Sequence, residues 1–250
     1  MPFHKRPGTV VLVGGGPGDP GLITVAGLQA IQQADVVLYD RLAPLECLAE
    51  APEGCELINV GKIPRGDFTP QERINELLIG HAREGRRVVR FKGGDSFVFG
   101  RGAEEWQACA EAGVPVRVIP GVSSSIAAPE LAGIPVTHRS LVQGFTVVSG
   151  HVPPGDARSQ LDWTALAHTG TTLVILMGIH YLNEIVAALV DAGLDPATPA
   201  AIIANAGSDD MSTVTGTAAS ITAVAEQAGI KPPAVTVIGQ VAGLDLALLD

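Results

Sequence analysis

At 250 residues, 46% of them hydrophobic, the protein has enough apolar material for one large or two smaller cores, and two domains suit its length better than one. A formal net charge of −10 and a sequence pI near 5.0 exclude nucleic acid or an anionic membrane as the main partner, because a phosphate-tracking surface needs clustered Lys and Arg. Three cysteines, Cys47, Cys55 and Cys109, form neither an even disulfide set nor a CxxC metal pattern, so reduced thiols and no metal site are expected.

The opening MPFHKRPG is basic but has no apolar segment behind it, and no later run reaches the length of a membrane span, so a cytoplasmic location is expected. Val10–Val13 is a short apolar run that reads as a buried parallel strand and breaks into Gly14-Gly15-Gly16-Pro17-Gly18-Asp19-Pro20-Gly21. Apolar residues near helical spacing predict a helix over Leu22–Ala34, and Val36–Tyr39 is a second strand that ends at Asp40.

Gly16, Gly18 and Gly21 fit the spacing GxGxxG, and Asp40 follows nineteen residues later, which is the outline of a dinucleotide site. The prolines argue against it. A pyrophosphate cradle works by offering free backbone N–H groups, and Pro17 and Pro20 have none.

Arg41–Pro52 reads as a loop with a short helix, and Glu56–Val60 as a third strand running into Gly61-Lys62. After an exposed loop over residues 63–68, Thr69-Pro70-Gln71-Glu72 predicts a helix start with Thr69 as N-cap and Glu72 closing a capping box, the helix running to about Glu84. Arg87–Phe91 is a strand that opens into the glycine-rich stretch 92–102. A helix over Ala103–Ala112, a strand over Val114–Ile119 and a turn at residues 120–125 leading into a helix through Leu131 complete the first half.

Such alternation implies a parallel sheet covered on both faces, with ligands beyond the carboxyl ends of the strands. Four special loops fall at such ends: 14–21, 40–41, 93–96 and 121–125.

The pattern changes near Leu141, where a domain boundary is expected, giving domains 1–140 and 141–250. Beyond it, residues 145–149, Thr171–Leu176, Ala200–Ala204, Ser212–Thr215 and Ala234–Ile238 read as strands, with helices near His180–Ala192 and Thr217–Ala228. Strands 200–204 and 212–215 are close enough to form a hairpin, so a mixed sheet is expected.

Read together and in order, VVLVGGGPGDPGLITVAGLQAIQQADVVLYDRL, VGK, VVRFKGGDSFVFGRGAEE, VIPGVSSSIAAPELAGIPVTHR, SGH, TLVILMG and PPAVTVIGQV resemble the uroporphyrinogen-III C-methyltransferases of the tetrapyrrole methylase superfamily over nearly the whole sequence. The resemblance implies two α/β domains, an N-terminal one with a mostly parallel sheet and a C-terminal one with a mixed sheet. It also implies an active site in the cleft between them and a homodimer. It implies methyl transfer from S-adenosyl-L-methionine, leaving S-adenosyl-L-homocysteine, to C2 and C7 of uroporphyrinogen III. The product is then precorrin-2, for sirohaem or cobalamin synthesis.

By the same resemblance, cofactor contacts fall at Pro17, Gly93, Gly94, Asp95, Val98, Ser123, Ser124, Met177, Ala206 and Ala234, with Asp40 as proton acceptor and Lys62 as proton donor. The substrate is a polycarboxylate, which makes Arg41, Lys62, Arg65, Arg101 and Arg139 candidate partners, with His138 beside them. Ser96 stands where the family usually has Pro after GGD. Other readings are methylation of a later corrin precursor, a nicotinamide oxidoreductase, which tight NAD(P) binding would reveal, and a non-catalytic tetrapyrrole-binding module.

Overall fold

Each apolar run expected as a strand in the first half pairs in parallel with its neighbours. In the computed structural model, which describes residues 8–61 and 69–244, these strands are β1 (Thr9–Gly14), β2 (Val36–Tyr39), β3 (Glu56–Asn59), β4 (Arg87–Lys92) and β5 (Val116–Ile119). They form one sheet in the order β3-β2-β4-β1-β5. Both faces are covered, as uninterrupted apolar strands require. Val10, Leu12, Val36, Leu38 and Val88 pack on one side against Ile74 and Leu78 of helix α2 (Gln71–Arg83) and Cys109 of α3 (Gly102–Glu111). On the other side Val13, Val37, Val89 and Phe91 pack against Ile31 of α1 (Val25–Ile31) and Cys47 of a short 3-10 helix.

Two local expectations need correction. The helix expected over Leu22–Ala34 is divided: a 3-10 turn at Pro20–Leu22 precedes α1, which begins only at Val25 because the Thr24 hydroxyl accepts from Gly27 N. At α2 the capping box is absent: the helix starts at Gln71, Pro70 occupies the cap position, and it is left without a side-chain cap.

The second half forms a mixed sheet, β6-β7-β10-β8-β9, from β6 (Phe145–Ser149), β7 (Thr172–Leu176), β8 (Pro199–Ala204), β9 (Ser212–Thr217) and β10 (Ala234–Ile238). β6 and β7 are parallel, β10 runs antiparallel to both β7 and β8, and β8–β9 is the expected antiparallel pair. One face packs on α5 (Trp163–Ala167), α6 (Leu182–Asp191) and α7 (Ile221–Gln227) through Trp163, Ile185, Leu189 and Ile221. The helices expected near His180–Ala192 and Thr217–Ala228 are thus shorter, and α5 is a helix the apolar pattern did not reveal. No helix among the described residues is long and apolar enough to cross a membrane.

The protein divides into two compact units, one ending at Ser123 and the other starting at Ser124, rather than at residues 140/141. The reason is α4 (Ser124–Leu131). Its Ala128, with Ile134 and Val142 beyond it, packs on Val174, Leu176, Val235 and Val237 of the second sheet. A boundary read from composition missed this, because burial rather than local polarity assigns the helix.

Candidate active site

All five strands of the first unit are parallel, so their carboxyl ends share one edge, and the four expected loops all lie there. Register makes this specific: Gly14 stands opposite Lys92, Tyr39 opposite Phe91, and Val13 opposite Ile119. The connections leaving β1 and β4 run in opposite directions across the sheet, to β2 and β5 respectively.

The loops after β1 and β4 are zipped together by their backbones. Gly15 N donates to Lys92 O at 2.7 Å, Gly16 N to Gly94 O at 3.1 Å, and Gly94 N to Gly16 O at 2.6 Å. Glycine is required where they meet: a Cβ on Gly14 would lie 2.5 Å from Gly121 N, and one on Gly121 would overlap Gly94 O. The same bonds dispose of the dinucleotide reading. The N–H groups of Gly15 and Gly16 are spent on the neighbouring loop, Gly21 N is taken by Asp19 Oδ1 at 2.7 Å, and Pro17 and Pro20 supply none.

Asp95 joins a third loop to this pair. Its Oδ2 accepts from Gly121 N at 3.0 Å and its Oδ1 from Phe97 N at 2.8 Å. Each carboxylate oxygen keeps a further acceptor site.

Asp40, directly after β2, is held from three sides. Its Oδ1 accepts from Leu42 N at 3.2 Å and Gly93 N at 3.3 Å, and its Oδ2 lies 3.4 Å from Arg90 Nη2. Behind Asp40 is an ionic cluster that pattern reading missed. Arg90 Nε donates to Glu105 Oε1 at 3.0 Å, Lys92 Nζ lies 3.1 and 3.2 Å from the two Glu105 oxygens, and Gln71 Nε2 donates to Glu105 Oε1 at 3.3 Å. Burial and the neighbouring Arg90 charge pull Lys92 below the ordinary lysine value, against the opposing pull of Glu105 and Asp40. The available signal was Arg90 and Lys92 in a strand that also carries the apolar Val88, Val89 and Phe91: alternation puts both on the face that α3 covers.

In the second unit, the ends of β7 and β8 and the start of β10 share an edge, since Val235 pairs with Leu176 and Ala234 with Ala204. Met177, Ala206 and Ala234 therefore fall at one rim of that sheet. Met177 is 48% exposed and, at φ 57°, adopts the left-handed conformation that L-residues other than glycine rarely take. Gly150 and Gly178 meet beside it, a Cβ on Gly150 lying 2.6 Å from Gly178 Cα. His151, one residue on, has its Nδ1 2.8 Å from Ser149 Oγ.

Of the other residues singled out from sequence, Pro17 is half-buried at the first rim, Val98 is exposed after Asp95, and Ser123 and Ser124 sit at the junction of the two units. Arg41 is exposed on the loop after Asp40. Arg101 has φ 59° and its Nε is 2.6 Å from Glu104, an exposed ion pair. Arg139 is exposed in the turn where His138 N and Val142 N exchange bonds with each other's carbonyls. Lys62 and Arg65 lie outside the described residues.

Comparison with known proteins agrees with the fold of a parallel and a mixed sheet. Residues 9–222 match the family model described as Tetrapyrrole (Corrin/Porphyrin) Methylases. The sequence is 44% identical over 237 residues to the S-adenosyl-L-methionine-dependent uroporphyrinogen III methyltransferase of Methanosarcina barkeri, covering 95% of this protein and 93% of that one. It is 46% identical over 241 residues to siroheme synthase 1 of Klebsiella pneumoniae, covering 96% of this protein, but it spans only 50% of that longer one. Among solved structures, uroporphyrin-III C-methyl transferase from Thermus thermophilus, complexed with S-adenyl homocysteine, aligns with a TM-score of 0.78 at 39% identity, over 94% of this protein and 98% of that one. With a parallel and a mixed sheet, a proline-interrupted glycine loop and this extent of identity, the protein belongs to the tetrapyrrole methylase family.

Proposed function

We propose that the protein methylates ring carbons of uroporphyrinogen III with S-adenosyl-L-methionine as donor, twice, at C2 and C7, giving precorrin-2 for sirohaem or cobalamin synthesis. The observation that carries this is the 44% identity, along nearly the full length of both proteins, to a methyltransferase named for that donor and that substrate.

The residues fit a compact sulfonium donor. At the first rim the bare backbones of Gly93 and Gly121 let the loops pack closely on Leu42 and on Gly14 and Gly94, Gly93 and Gly94 are the backbone contacts for the donor, and Asp95 retains lone pairs for an ammonium or a ribose hydroxyl. Pro17, Val98, Ser123 and Ser124 are further cofactor contacts in this reading, as are Met177, Ala206 and Ala234. Bound S-adenosyl-L-methionine supplies an electrophilic methyl group. An electron-rich ring carbon of the substrate forms a bond to it as the carbon–sulfur bond breaks and the electron pair leaves on sulfur. Because the nucleophile is the substrate's own carbon, most of the acceleration comes from alignment.

The methylated ring is then cationic and loses a proton, for which the Asp40 carboxylate is the acceptor, with Lys62 as donor. Arg41, Arg65, Arg101 and Arg139 are the cations to pair with substrate carboxylates. The working form is a cytoplasmic homodimer.

The test is an anaerobic incubation of the purified protein with uroporphyrinogen III and S-adenosyl-L-methionine, with products read by mass. One and then two added methyl groups are expected. No methylated product, or methylation only of a later corrin precursor, overturns the reading.

A further inference from the structure

Proton transfer to Asp40 makes no direct use of the ionised cluster behind it. Glu105 has no solvent exposure, and Arg90 and Lys92 are 3% and 4% exposed. An isolated carboxylate at such a depth is unfavourable, and a balanced buried pair is often no more stabilising than apolar packing of the same volume. The arrangement is therefore better explained by what it holds than by the stability it confers.

The guanidinium of Arg90 is a planar fork, so anchoring one nitrogen sets the direction of the others. Glu105 Oε1 anchors Nε at 3.0 Å. Nη1 donates to Phe91 O at 3.1 Å and Leu38 O at 3.4 Å, which aims Nη2 at Asp40 Oδ2. Glu105 itself is fixed by Lys92 from β4 and Gln71 from α2, and Cys109 lies one turn further along α3.

We propose that Glu105 is a positioning residue for methyl transfer: by clamping the Arg90 guanidinium it fixes the Asp40 carboxylate in the orientation from which it accepts the ring proton. This rests on Asp40 being that acceptor. Among the described residues, the Asp40 side chain is otherwise held by two backbone N–H groups on the same oxygen, a hinge about which the second oxygen can swing. The Arg90 contact removes that freedom.

The experiment is a double-mutant cycle on the full-length protein between Glu105→Asp and Asp40→Asn, with turnover measured under anaerobic conditions. Glu105→Asp keeps the charge but draws the carboxylate back from Arg90. It is expected to lower kcat about tenfold while leaving both KM values and S-adenosylhomocysteine affinity within about twofold. In the Asp40→Asn background the same change is expected to alter the residual rate by less than about twofold, since the group it positions is already gone. An effect that multiplies equally in both backgrounds means that Glu105 supports the fold alone, and overturns the inference. So does full kcat in folded Glu105→Asp. If Asp40→Asn by itself turns over normally, it is the assignment of Asp40 that fails. Should Glu105→Asp not fold, the pair Lys92→Met/Glu105→Leu removes one buried charge of each sign and carries the same cycle, with the same outcomes deciding it.

Discussion

Asp95 Oδ2 accepts the backbone N–H of Gly121 across 3.0 Å, while its Oδ1 turns back to Phe97 N at 2.8 Å. One carboxylate thus holds its own loop in shape and ties it to the turn after β5. A hydrogen bond to a charged acceptor contributes about 1.5–3 kcal/mol, so Asp95→Ala should both destabilise the first unit and loosen the rim. Calorimetric titration with S-adenosylhomocysteine should show a loss of at least about tenfold in affinity, equivalent to about 1.4 kcal/mol or more. Asp95→Asn keeps one acceptor and should fall between. Wild-type affinity in Asp95→Ala would remove this residue from the cofactor site.

Gly93→Ala addresses the same rim from its other side. The added Cβ would overlap Leu42 O and displace the loop that carries Asp40, along with the Gly93 N–Asp40 bond. Overpacking of this kind costs about 1–3 kcal/mol. The expected result is loss of S-adenosylhomocysteine binding and of turnover together. Retained affinity with intact turnover would mean that the loop yields easily and that close backbone approach is not what the glycine provides.

Ser96 is fully buried, and its hydroxyl has no hydrogen-bond partner among the described residues. Its carbonyl is the useful group, accepting from Gly102 N at 2.9 Å at the start of α3. Removing an unsatisfied buried hydroxyl recovers about 1 kcal/mol, so Ser96→Ala should move the urea midpoint upward with cofactor affinity unchanged. A lower midpoint would show that the hydroxyl is bonded in solution.

Burial, with the Glu105 carboxylate adding to it, pushes the Cys109 thiol up to about 11, from an ordinary value of 9.0. A group whose folded value is raised stabilises the fold below its unfolded value and loses that contribution as pH rises towards the folded one. The urea midpoint should therefore fall between pH 9 and pH 11, and fall less steeply in Cys109→Ala. Equal slopes in the two proteins would assign the alkaline loss to other groups.

Much of this protein is written along its sequence. Strand runs such as Val10–Val13 and Val36–Tyr39, the glycines that end them and the prolines that bar a phosphate cradle are local properties, because backbone freedom and missing N–H groups act within a few residues. They suffice for a parallel sheet whose loops gather at one edge, and for the family.

The tertiary structure decided what depends on neighbours distant in sequence. Thr69 looked like a cap until the helix began at Gln71, and α4 looked like part of the first half until Ala128 was buried against Val235 and Val237. In the sequence Glu105 is one acid among several in a helix. Only packing α3 over β4 takes it out of water, and only there does a carboxylate need Arg90 and Lys92, and through Arg90 reach Asp40. Burial and partner choice are long-range quantities: alternation along β4 puts Arg90 and Lys92 on one face, but only the packing of α3 supplies Glu105 as their partner.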